Sequence, residues 1–320
     1  MTALFIMLRN VIVFVALAVP GFLLVKTGFL KQEQSGVLSK LLVYVGMPFL
    51  ILSSTIDKIT FSAGLILTIL VVAFIGIVYT LVMFLVSSPL TAMEHSPKTK
   101  GMMRFCAVFS NNGFLGIPLA IAVFGADSPV LMVVIIINII SNVLMQTLGV
   151  YLVSGDKKQM SAKKALLNPL LIAFIIGIVL NLVNIKAYIP EISTFSTHFS
   201  NIVTPISMTI LGMKMADVRF TSLFASWKTY YVSLHKLVVF PAVIVAALIA
   251  LKLFGVGGVI TSELILGVFI SFAMPTAGLA STFADNLNGD TENAVAFTLG
   301  TTVISIVTIP VLYFAICLFI

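Results

Sequence analysis

The chain has 320 residues, of which 60% are hydrophobic and 9% charged, with a net charge of +7 and a mean hydropathy of +1.19. Soluble domains are nearer about 45–50% apolar and about 25% charged, so this composition excludes a soluble globular protein, whose surface needs far more polar area. Two cysteines in apolar runs, Cys106 and Cys317, frame no disulfide scaffold, and the positive charge has a membrane explanation that requires no nucleic acid.

In chain order, apolar periodicity and length predict membrane spans at 4–25, 36–54, 61–86, 102–122, 129–153, 166–184, 197–213, 232–251, 260–281 and 293–318. Each approaches the roughly 20 residues that cross about 30 Å of hydrocarbon. The apolar stretch of the first is too long for a secretory h-region, so it reads as a span. The second and seventh are short and carry Pro48 and Pro205. The connections 87–101, which holds Pro89 and Pro97, and 214–231 are the longest, and Phe220, Phe224 and Trp227 in the latter read as one face of an interfacial helix.

Ten spans put both termini on one side. If that side is outside, every basic residue except Arg9, Lys58, Lys186 and Lys252 falls at an inner connection, as the positive-inside rule requires. The expected location is a bacterial-type cytoplasmic membrane with extracellular or periplasmic termini. The basic loop 154–165 divides the chain into 1–153 and 166–320, five spans each. An odd number of spans inverts the second half relative to the first, an arrangement of secondary transporters.

The fourth span of each half is interrupted, by Ser110-Asn111-Asn112-Gly113-Phe114-Leu115-Gly116-Ile117-Pro118 and by Ser271-Phe272-Ala273-Met274-Pro275-Thr276-Ala277-Gly278. Proline removes a backbone donor and obstructs the carbonyl four residues earlier, and hydrocarbon does not tolerate unpaired groups. Matching broken helices therefore point to a substrate site, where exposed helix starts favour an anion. The other reading is that the prolines only kink and that Gly113 and Gly116 serve close packing.

Asn111 and Asn112 either satisfy the broken backbone or donate to a substrate carboxylate. Asn138, Asn142 and Gln146 recur every four residues along one helix face, for interhelical bonding or for the site. Thr204-Pro205, with Ser207, offers a further break, while the threonines of the tenth span read as structural. No carboxylate lies at mid-span. His235 and Lys236 are placed in the first turn of the eighth span, where lysine snorkels to the interface. His235 and Asp285 are the candidates for proton coupling. There is no HExxH, CxxC, Walker loop or nucleophile elbow, so no enzyme, metal site or cofactor is expected.

The stretch Arg104–Leu119, with Asn111, Gly113, Gly116 and Pro118, resembles the fourth-helix signature of the auxin efflux carrier family, which includes bacterial malate or malonate permease-like members and is related to the plant PIN transporters. The likeness extends to a proline in the second span, Lys236-Leu237 ahead of Pro241, and Pro275. It implies an all-α polytopic protein of ten helices in two inverted five-helix repeats. It further implies crossing, broken helices 4 and 9, scaffold and transport parts, elevator-like alternating access and a homodimer. The implied substrate is a small organic anion such as malate or malonate, with proton or sodium coupling. Together with the amides and the seventh-span break read above, the candidate substrate site is Asn111, Asn112, Gly113, Pro118, Asn138 and Asn142, with Thr204 from the seventh span. Ala273, Met274, Pro275 and Thr276 would complete it at the second break. Two departures point away from auxin itself: Ser110 stands where many members have glycine, and no amide flanks Pro275. The rival expectations are a sodium-coupled carrier of a bulkier amphipathic acid, a membrane ligand sensor without transport, and a channel.

Overall fold

In this computed structural model the described residues are 13, 16–58, 63–216, 226–256 and 258–320. Half of the first predicted span and two members of the proposed interfacial stripe, Phe220 and Phe224, lie outside them. The described chain is helical and contains no strand, only one isolated antiparallel bridge. Its helices are α1 (Val19–Lys26), α2 (Gln32–Ile56), α3 (Ala63–Leu90), α4 (Pro97–Val108), α5 (Asn112–Phe124) and α6 (Pro129–Ser154). They continue as α7 (Pro169–Leu182), α8 (Glu191–Ser200), α9 (Val203–Ala216), α10 (Trp227–Gly255), α11 (Ser262–Ala273), α12 (Ala280–Asn286) and α13 (Thr291–Cys317). Among the described residues, five helices are long and apolar enough to cross a membrane alone: α2, most of α3, α6, α10 and α13.

Most starts follow from local chemistry. Ser96, Ser128 and Asn168 each accept a backbone N–H with their side chains, and each precedes a proline whose missing donor costs nothing in the first turn. Ser226, Thr261 and Asp290 cap α10, α11 and α13 in the same way. These caps move two starts outward from the apolar runs, to Pro97 rather than 102 and to Trp227 rather than 232. Two proline expectations are corrected. Pro89 lies inside α3 rather than in a connection. Pro205 sits in the first turn of a continuous α9, so the interruption of the seventh span falls at Asn201 and Ile202, ahead of Thr204.

Three mid-helix prolines share one device. Pro48, Pro118 and Pro241 each follow a widened π turn, Leu42–Gly46, Asn112–Gly116 and His235–Val239. In each case the residue just before the proline donates its N–H to the carbonyl five residues back, namely Met47 to Leu42, Ile117 to Asn112 and Phe240 to His235. The wider turn gives the proline ring room beside the carbonyl four residues back. The helices bend without ending.

Packing sorts the helices into two groups. α1 lies on α9, and α2 lies on α7 and α8; α3, α4, α6, α10, α11 and α13 pack among themselves. The groups meet where α9 touches the start of α5. The α1–α9 contact is backbone on backbone: a methyl group added at Gly212 would lie 1.9 Å from the Ala18 carbonyl oxygen. Apolar side chains such as Leu70, Phe74, Leu85 and Val307 stand exposed on the outside, as lipid-facing residues do.

Candidate functional site

The interruptions of α4–α5 and α11–α12 meet. α4 ends where Phe109 turns extended, and α11 ends where Met274, preceding Pro275, does the same. Ser110 and Thr276 form the antiparallel bridge. Asn111 donates its backbone N–H to the Pro275 carbonyl at 2.8 Å, and Ala277 donates to the Phe109 carbonyl at 3.0 Å. Thr276 donates its N–H to Thr301 Oγ1 at 3.1 Å and its hydroxyl to the Cys106 carbonyl at 3.0 Å. Each break thus satisfies the other, and the amides of Asn111, Thr276 and Ala277 are occupied rather than open to a ligand. At the start of α5, the N–H groups of Asn112, Gly113 and Phe114 precede the first bonds of the helix, from Leu115 and Gly116 to the Asn111 carbonyl.

Pro118 lies nine residues beyond Phe109, where the backbone turns extended; it shapes the π turn of α5 and does not make the break. Pro275 is in the break itself.

A cavity of about 920 Å³ opens beside this junction. Asn111, Gly113, Asn138, Asn142 and Gln146 line it. Asn142 donates to the Asn138 carbonyl at 2.8 Å and to Asn138 Oδ1 at 3.0 Å, which fixes two amides of the α6 face in one array. The Asn138 Nδ2 has no partner among the described residues, nor do the Nδ2 and Oδ1 of Asn112, which is 1% exposed. A buried amide left unpaired calls for a water or a ligand group. Gly113 allows the close approach: an added methyl group would meet Met47 and Asn138 Oδ1.

Asp285 also lines this cavity, at its exposed edge, and accepts the Thr291 hydroxyl. Ala273, Met274, Pro275 and Thr276 are buried in the junction behind the cavity wall. Thr204 is elsewhere. It lines a second cavity of about 400 Å³ with Ser53, Ser54, Asp127, Ser200 and Asn201. Because α2 and α9 each contribute one end to one cavity and the other end to the other, the two cavities lie at opposite ends of these helices. His235 lines neither. Its Nδ1 lies 2.8 Å from the Tyr231 carbonyl of its own helix.

Two lysines change the electrostatic picture. Lys236, expected to snorkel, is 0% exposed; its ammonium donates to Ser110 Oγ at 2.5 Å and toward the Val108 carbonyl at 3.4 Å. α10 begins at Trp227, so Lys236 lies more than two turns inside the helix and against the first break. Lys214, near the end of α9, is half-buried in the large cavity and donates to the Gly278 carbonyl at 2.9 Å.

Comparison with known proteins fits this architecture. The model of the family described as "Membrane transport protein" matches residues 5–165 and 158–313. The chain belongs to that family. The likeness to auxin efflux carriers read from the first break holds across the chain. A curated protein of Methanothermobacter thermautotrophicus described as an uncharacterized transporter is 24% identical over 305 residues, spanning 94% of this chain and 96% of that one. This member of the membrane transport family is a multi-pass integral membrane protein and a transporter, not an enzyme.

Proposed function

We propose that the protein is a secondary carrier of small organic anions, carboxylates such as malate or malonate among them, working by elevator-like alternating access. The observation that carries this reading is the pair of mutually bonded helix breaks beside an amide-lined cavity. Mid-membrane backbone that leaves the helix is tolerated where it is covered by protein or lines a watery space, and this junction has both surroundings. The Asn111 side chain, buried but lining the cavity, and the first N–H groups of α5 supply donors for a carboxylate, with the unpaired Asn112 amide buried beside them and the positive end of the α5 dipole behind them.

In this reading the α4–α5 and α11–α12 helices are crossing fourth and ninth helices of two inverted repeats, 1–153 and 166–320, joined by the loop 154–165. Asn138 and Asn142 complete the substrate site, Asp285 stands at its mouth, and the group containing α9 is the scaffold. The positive-inside rule puts the large cavity on the cytoplasmic side, since Lys40, Lys164 and Lys214 line it. The cavity containing Thr204 then belongs to the outer end of the path, and the state is open inward.

The test is uptake of labelled malonate, malate, succinate and acetate into proteoliposomes, with imposed proton or sodium gradients. Saturable flux of at least one acid is expected. Replacing Asn111 by Ala should weaken binding about tenfold or more, as loss of a hydrogen bond to a charged group does, with the fold retained. Binding with no flux under any gradient would make the protein a sensor; unitary currents would make it a channel.

A further inference from the structure

Among the described residues, five charged side chains line the large cavity. Glu33, Lys40, Lys164 and Asp285 are exposed, whereas Lys214 is half-buried. Among the described residues its ammonium has one hydrogen-bond partner, the Gly278 carbonyl. An ammonium carries three donors, and a neutral carbonyl leaves its charge uncompensated in a site partly removed from water. Gly278 packs on Asn111, since a methyl group added there would lie 3.3 Å from Asn111 Nδ2 and 3.4 Å from its Oδ1. The Asn111 side chain makes no hydrogen bond among the described residues. The cation, the free amide and the start of α5 therefore converge on one region of the cavity wall.

They also come from different packing groups. Lys214 is on α9, which packs with α1, while Gly278 follows the break of α11, which packs with α6 and α10. The bond between them bridges the groups and holds the lysine in the cavity. We propose that Lys214 receives a carboxylate of the transported molecule, exchanging the Gly278 carbonyl for it. Binding then replaces a charge–dipole contact with an ion pair and releases a tie between the two groups. This rests on the organic-anion reading above and names the residue that makes the cavity selective for anions. Glu33 and Asp285 do not compete for this role, since both are exposed and the Asp285 carboxylate accepts the Thr291 hydroxyl.

The experiment measures binding of malonate, malate, succinate and acetate to the full-length purified protein by ligand-induced thermal shift, with the corresponding methyl esters as uncharged controls. Flux is measured separately in proteoliposomes. The variants are Lys214→Met, and Lys214→Cys in a Cys317→Ser background, the latter treated with 2-bromoethylamine to rebuild a lysine-like cation. Cys106 is fully buried and does not react.

The expected result is an acid-dependent, ester-insensitive shift in the parent protein. The dissociation constant should be about tenfold or more weaker in Lys214→Met. Affinity should return on aminoethylation of Lys214→Cys. Parent-like affinity in Lys214→Met, or no recovery on aminoethylation, overturns the assignment while leaving an anion site in place. A parent protein that responds to no acid overturns both the assignment and the organic-anion reading. Acid binding that depends on Lys214 without flux sustains the assignment and overturns the carrier.

Discussion

Ser110 and Lys236 form one unit, although 126 positions separate them in the chain. Replacing Ser110 by Ala leaves a fully buried ammonium with a single long contact to Val108, and should cost about 1–3 kcal/mol, the penalty of an unmet buried donor. Thermal unfolding in detergent checks this, and Ser110→Thr, which keeps the hydroxyl, should recover most of the loss. The sequence hid this pairing because a lysine near the edge of an apolar run reads as an interface anchor. What overrides that reading is the Ser226 cap, which starts α10 before the apolar run and carries Lys236 inward, together with a partner on another helix. Lys214 was hidden for the same reason. Asn111, Asn138 and Asn142 were legible because amides inside an apolar run are costly wherever they fall.

Among the elements, glycine and proline give two contrasting experiments. Gly212→Ala should push α9 away from α1 and destabilise by about 1–3 kcal/mol, since the new methyl group meets backbone that cannot rotate aside. Gly36→Ala meets nothing within 4 Å and should be neutral or stabilise by up to about 1 kcal/mol. Pro275→Ala removes the constraint that keeps Met274 extended and should lower uptake about tenfold, a change of roughly 1.4 kcal/mol in the transport barrier. Pro118→Ala should have a smaller effect, because the turn of Asn111 is held by the Pro275 carbonyl. Uptake rates of the two variants side by side decide the order. Reading the sequence located both interruptions through their Gly-Pro spacing, but credited Pro118 with a break that the bridge of Ser110 with Thr276 maintains. Such a bridge depends on residues far apart in the chain and has no local signature.

At the scale of the whole molecule, the described connections on the large-cavity side are tied by carboxylates. Glu94 pairs with Lys228, and the Lys228 and Ser96 hydrogen bonds hold its pKa below the ordinary value. Burial works against the Asp290 carboxylate, but hydrogen bonds from the Thr99 hydroxyl and from Asn293 outweigh it, and its pKa also falls. Both groups are depressed on folding, so their stabilisation is complete above the unfolded carboxylate values of about 3.9–4.3. It is lost as pH falls through the lower folded values. Melting temperature in detergent should therefore drop between pH 5 and pH 3, and less steeply in Asp290→Asn. The membrane character was legible from composition and charge placement. The sorting of helices into two packing groups was not, because every apolar face in a lipid-embedded chain looks alike until its neighbours are known.

The bonds exchanged between Asn111 and Pro275 and between Phe109 and Ala277 also set the order of biogenesis. The ribosome makes the first of these segments long before the second, so a nascent chain threads an unfinished strip of peptide groups into lipid and waits for its complement. A gene cut within the Gly155–Met160 connection should yield a first fragment that cellular proteases clear when it is made alone. The same fragment should accumulate when the second is co-produced, and pulse–chase labelling of the two cultures would show the difference.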